Sequence, residues 1–261
     1  MTVIPPRRYP ISVCLAISMK ETKMETSRKM AIIAGILFII ATAATVLSSV
    51  ISGPFLEAED YVVQVSANET QMVIGLLFML TTAIAVVSIA VLMYPFLKKH
   101  SEIDAVGYLS ARIVEGVLLI ISVLALLSLV TLSQEYAATA AADAANFQAV
   151  GTLLRTLSDW AFSLGVGLIF ALSALILNYS LYQTKLVPRW LSGWGFVGAV
   201  LILTGHLLAY FNVNPLGILD LPIALQEMVF AVWLIVKGFE PDALASEPAT
   251  IEFDELQKSL S

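Results

Sequence analysis

The sequence predicts an all-α fold, a polytopic membrane helix bundle of six transmembrane helices with both termini cytoplasmic. Three observations carry that prediction. Of 261 residues, 59% are apolar and only 13% charged, with a mean hydropathy of +0.88, whereas soluble domains carry about 25% charged residues. A water-soluble chain of this composition would leave too much apolar surface exposed. The apolar residues gather into six stretches close to the roughly 20 residues that cover about 30 Å of hydrocarbon. The basic residues fall in alternate connections between those stretches.

The first two stretches, 30–52 and 72–97, contain no charge, and the second ends at Tyr94, Pro95 and Phe96 before Lys98 and Lys99. The third, 113–133, holds only Glu115, near its start. Asp159 opens the fourth, 159–183, and the fifth, 191–211, holds only His206. The sixth is placed at 219–237; its apolar part, 221–236, contains Glu227 and is short, suiting a locally thin bilayer. None has the polar face of a helix lying on a membrane surface.

Basic residues set the orientation. Arg7, Arg8, Lys20, Lys23, Arg28 and Lys29 precede the first stretch, while the loop 53–70 has no base and four acids, Glu57, Glu59, Asp60 and Glu69. Lys98, Lys99 and Arg112 follow the second stretch, Lys185 and Arg189 the fourth, and Lys237 and Lys258 the sixth. Six spans with both ends inside place every one of the 14 Lys and Arg residues except Arg155 on the cytoplasmic side. Trp160, Tyr179, Tyr182, Trp190 and Trp194 sit near span ends, where amphipathic rings settle at headgroup level.

Three domains follow: a cytoplasmic segment 1–29, the six-helix domain 30–239, and an acidic cytoplasmic tail 240–261. Residues 11–19 are too short to span and lack a signal-peptide cleavage site. Met24 opens a compact basic lead-in, so translation is expected to start there and residues 1–23 not to be translated. The alanine-rich connection 134–156 is expected to form an external helix against the bundle. Asn68-Glu69-Thr70 matches a glycosylation acceptor, a weak three-residue pattern.

Few residues can carry chemistry. The lone Cys14 excludes an internal disulfide. His100 and His206 lack metal-ligand spacing, so no bound metal is expected. No phosphate loop, nucleophile elbow, serine beside a base, cofactor motif or nucleic-acid surface is read from the sequence, so neither a cofactor nor a nucleic-acid partner is expected. Ionisable groups in hydrocarbon cost about 2.5–3.5 kcal/mol on insertion scales and usually face a bundle interior. His206 and Glu227, on neighbouring antiparallel helices, both come out roughly 8–10 Å below the outer surface at 1.5 Å per residue. They are candidates for a ligand- or proton-binding site, or for a structural clasp between two helices.

Arg112 and Glu115, spaced i, i+3, are expected to pair at the membrane boundary where the third helix begins. Arg155 and Asp159, spaced i, i+4, form a second structural pair at the start of the fourth. Arg189, Trp190 and Trp194 are interface anchors after the tight turn at Pro188. Gly195 with Ala199, and Ala161 with Gly165, read as close helix packing.

Five segments carry a family likeness. Tyr182-Gln-Thr-Lys-Leu-Val-Pro-Arg-Trp-Leu-Ser-Gly-Trp-Gly195, Leu221-Pro-Ile-Ala-Leu-Gln-Glu227 and Trp233-Leu-Ile-Val-Lys-Gly-Phe239 are the longer ones; Ser27-Arg-Lys-Met-Ala-Ile-Ile-Ala-Gly35 and Arg112-Ile-Val-Glu115 are shorter. Together they resemble the prokaryotic membrane proteins grouped as domain of unknown function 4386, over about residues 27–239. The resemblance implies a multi-pass membrane protein with about six helices, often starting near Met24, and implies no activity.

The residues therefore favour a non-catalytic component of the cytoplasmic membrane that binds lipid, a membrane partner or a second copy of itself. A small-solute or proton-linked carrier or sensor using His206 and Glu227 is the alternative. An intramembrane enzyme has least support, for want of a nucleophile, metal set or cofactor motif.

Overall fold

The computed structural model describes residues 11–138, 144–213, 217–241 and 243, with side chains from residue 24 onward. Among the described residues there is no strand. A backbone surrounded by hydrocarbon must satisfy its own polar groups, and the helix does so within one segment. Hydroxyls follow the same rule: Thr45, Ser52 and Ser88 each donate to a carbonyl one turn back, Ala41, Ser48 and Ile84.

Helix α1 is Ile11–Glu57, α2 is the short Tyr61–Ala67, α3 is Glu69–Lys98 and α4 is Glu102–Ala138. Helix α5 (Ala144–Phe162) runs through a π-helical segment (Ser163–Ile169) into α6 (Phe170–Thr184). Helix α7 is Arg189–Ala209 and α8 is Leu221–Val236. Lys185 stops α6 in the left-handed region at φ 56°, and Pro188 caps the start of α7.

Five of these helical stretches are long and apolar enough to cross a membrane: Met24–Glu57, Glu69–Lys98, Glu102–Ala138, Ala144–Thr184 and Arg189–Ala209; α8 is a shorter apolar helix. The helices close into a ring. α1 packs on α3, α3 on α4, α4 on the α5–π–α6 rod, α6 on α7, α7 on α8, and α8 back on α1. The outward face carries large aliphatic side chains such as Ile84, Val91, Leu124 and Val197. Among the described residues, the two largest of four packed apolar clusters flank the interior. One is built on Phe38, Met93, Tyr108, Leu181, Phe230 and Leu234; the other on Val65, Met72, Leu119 and Leu129.

Several local expectations change. The apolar stretch 113–133 belongs to a helix that starts at Glu102, because residues 102–112, in which Glu102, Asp104, Ser110 and Arg112 interrupt the apolar run, continue the helix instead of forming its lead-in. The described part of 134–156 is not a separate surface helix. Residues 144–156 form the first part of the rod that continues to Thr184, and 139–143 lie outside the described residues. Within the loop 53–70, α2 buries Tyr61, Val62 and Val65. Nearly all of the acidic tail and residues 1–10 lie outside the described residues.

Candidate functional site

The site is organised by one guanidinium. On α4, Tyr108, Arg112 and Glu115 share a face by helical spacing, and all three are buried. A buried unpaired cation is costly, so Arg112 must be compensated by its neighbours. Its Nη1 donates to Glu115 Oε2 at 3.1 Å and, more weakly, to Oε1 at 3.4 Å. The guanidinium carbon lies 4.9 Å from the Phe170 ring centroid and 5.4 Å from that of Tyr108, within cation–π range. Nη2 faces Glu227 Oε1 on α8 at 3.8 Å.

A second polar group lies at the junction of α7 and α8. His206 Nε2 is 3.8 Å from Asp220 Oδ1, and His206 Nδ1 is 3.5 Å from Ser163 Oγ in the π segment. The π segment permits this approach: a Cβ on Gly167 would overlap the His206 ring. A π turn inserts an extra residue and re-aims the side chains that follow, which is why such segments accompany functional sites. Asp220 also accepts through Oδ2 from the Gly217 backbone N–H at 3.2 Å.

Both groups line one cavity of about 470 Å³ in the middle of the ring, a size typical of small-molecule sites. Its remaining wall is mostly apolar, including Phe38, Phe162, Phe170 and Ile202, with Thr45 and Thr82 on the α1–α3 side. Those two hydroxyls lie 3.0 Å apart and bond each other.

The sequence candidates divide as follows. His206 and Glu227 share the cavity wall, but among the described residues no hydrogen bond or ion pair joins them. Glu227 turns to Arg112 and His206 to Asp220, because depth along the helices was legible while rotation about their axes was not. Arg112 and Glu115 do pair. They are not at a helix start, as expected, but about three turns into α4. Arg155 and Asp159 approach to 4.0 Å with side chains 34% and 69% exposed, outside the cavity. Arg189 lies over the Tyr182 ring, Trp190 is exposed against Trp233, and Trp194 is half-buried. No serine beside a base is legible in the sequence; Ser163 and His206, 43 residues apart, come to 3.5 Å only through the tertiary fold.

Ser163, His206 and Asp220 have the residue types of a hydrolase triad. Their separations exceed the 2.6–3.2 Å needed for proton transfer. Ser163 also sits inside a continuous helix, whose bonded N–H groups form no oxyanion hole. A separate clasp, Gln226 Nε2 to Asn178 Oδ1 at 3.4 Å and to the Leu191 carbonyl at 3.3 Å, ties α8 to α6 and α7.

The family model described as Domain of unknown function (DUF4386) matches residues 33–238. This chain belongs to that family. No curated protein and no solved structure matches it. The DUF4386 match runs from inside α1 to just beyond α8, so every residue of the cavity wall falls within it. Arg28, which precedes the DUF4386 match, reads in the sequence as a cytoplasmic charge within the family-like segment Ser27–Gly35. It closes the ring by donating to the terminal α8 carbonyls of Leu234 at 2.9 Å, Ile235 at 2.7 Å and Val236 at 3.1 Å.

Proposed function

We propose that this DUF4386 protein is an integral protein of the prokaryotic cytoplasmic membrane, threaded six times with both termini inside. In this reading it acts by non-catalytic binding of a small amphipathic molecule, a lipid among them, within the helix ring. The observation that carries the reading is the cavity of about 470 Å³ whose wall combines apolar surface with buried charge. A packed clasp would have filled that space, since interiors leave few voids larger than a water molecule.

The sixth span is supported by the place of α8 in the ring. Its 16 residues rise about 24 Å, somewhat short of a full bilayer core, yet it walls the cavity between α7 and α1. The orientation is supported by the basic residues alone. Reporter fusions after Gly53 and after Gln183 test the threading, and opposite compartments are expected. Native mass spectrometry tests the binding: the wild type is expected to carry a bound small molecule, and Ala224→Trp, placed on the cavity wall, to lose it.

A solute carrier is the second reading, favoured by His206 and Glu227 facing one cavity from adjacent helices. Both readings require binding; only the carrier predicts flux into proteoliposomes.

A further inference from the structure

We infer that the ligand is an amphiphilic cation, an apolar or aromatic body bearing one ammonium group, with Glu227 as its counter-ion. The inference rests on the binding function proposed above and adds the sign of the ligand's charge.

The cavity's ionisable side chains are Arg112, Glu115, His206, Asp220 and Glu227. Carboxylates outnumber the guanidinium, and they are not equally occupied. Glu115 is closed against Arg112 at 3.1 Å, with side chains 4% and 2% exposed. Glu227 has only the long contact at 3.8 Å to Arg112 Nη2, and its side chain retains 20% exposure. Among the described residues it accepts no hydrogen bond. Asp220 Oδ1 is buried and likewise lacks a donor. An ionised carboxylate has about four acceptor sites, and a buried polar group left without partners calls for a missing one.

The wall selects among ligands that could supply it. Arg112 keeps a buried Nε without an acceptor, but its Nη1 is held by Glu115, and an anion in the cavity would meet three carboxylates against this one guanidinium. A neutral apolar molecule would leave Glu227 with only its long contact to Arg112 and no hydrogen-bond donor, which is costly in a low-dielectric space. A bare metal ion finds no group of three or more metal-binding side chains among the described residues, and the cavity far exceeds its size. A cation with an apolar body satisfies both halves of the wall. Its body lies against Phe38, Phe162 and Ile202, and its head bonds Glu227. The local aromatic surface already accommodates positive charge, since the Arg112 guanidinium lies over the Phe170 ring.

The test uses the full chain in phosphatidylcholine nanodiscs, titrated calorimetrically with phenylbutylammonium, phenylbutanol and phenylbutyrate against empty discs. The ammonium compound is expected to bind saturably and about tenfold or more tighter than the alcohol, and the carboxylate not to bind saturably. Glu227→Gln is expected to erase the preference for the ammonium compound while alcohol binding persists. Equal binding of the alcohol and the ammonium compound, or preference for the carboxylate, overturns the charge assignment and leaves the cavity reading standing. Absence of saturable binding by all three overturns both. The wild-type comparison decides even if Glu227→Gln does not fold.

Discussion

Arg112 Nη2 and Glu227 Oε1 lie 3.8 Å apart, bringing α4 and α8 to one point inside the ring although those helices are far apart in sequence. Arg112 also holds Glu115 on its own helix. Removing the guanidinium strands two carboxylates. Arg112→Ala is expected to cost about 3–5 kcal/mol, the usual penalty for breaking a buried pair from one side. The double change Arg112→Met with Glu115→Leu is expected to cost less, because it removes the fully buried carboxylate together with its cation and leaves only the partly exposed Glu227 without one. Thermal unfolding in one detergent across the three proteins checks this, and equal losses in the single and double variants would refute it.

Gly167 is the residue that lets the π segment approach His206. Gly167→Ala is expected to destabilise by about 1–3 kcal/mol through overpacking. Adding His206→Ala is expected to recover most of that loss, since it removes the ring that the new methyl strikes. A double-mutant cycle measures the coupling; additive losses would count against the observed contact.

Arg28 caps the last turn of α8 through three carbonyls. A cation there both bonds orphan acceptors and opposes the helix dipole. Arg28→Gln is expected to lower stability by about 1–3 kcal/mol and to speed amide exchange at the end of α8. Lys is not an equivalent replacement, because it lacks the planar fork that reaches several oxygens together. Uniform exchange across α8 in wild type and variant would show that the cap is idle.

Arg155 and Asp159 are a contrasting case. They approach only to 4.0 Å, and Asp159 is 69% exposed. Asp159→Asn is expected to change unfolding free energy by less than about 1 kcal/mol, which the same melts can register.

The sequence revealed the helices more clearly than the site. Long uncharged runs fall within the helices that are long and apolar enough to cross a membrane, and the i, i+3 spacing of Arg112 and Glu115 corresponds to a contact in the structure. Hydropathy marks less than the whole helix where charges interrupt the apolar run, as in 102–112 of α4. Site partners were hidden for a different reason. Whether Glu227 meets His206 or Arg112 depends on the rotation of each helix about its axis, which hydropathy leaves open. The approach of Ser163 to His206 depends on the π segment; one extra residue in a uniformly apolar run leaves no periodic mark. Asp220 was passed over because, one residue before α8, it reads as loop polarity.

The central claim is that the helix ring encloses an open, charged cavity. It is tested most directly by thiol reactivity at its wall, in a Cys14→Ser background. Thr45→Cys, on the wall, is expected to react with a small water-soluble methanethiosulfonate in membranes and to be protected by Ala224→Trp. Ser173→Cys, at a position with no exposure, is expected to stay unreactive. If Thr45→Cys proves as inert as Ser173→Cys, the interior is closed and the binding function fails with it.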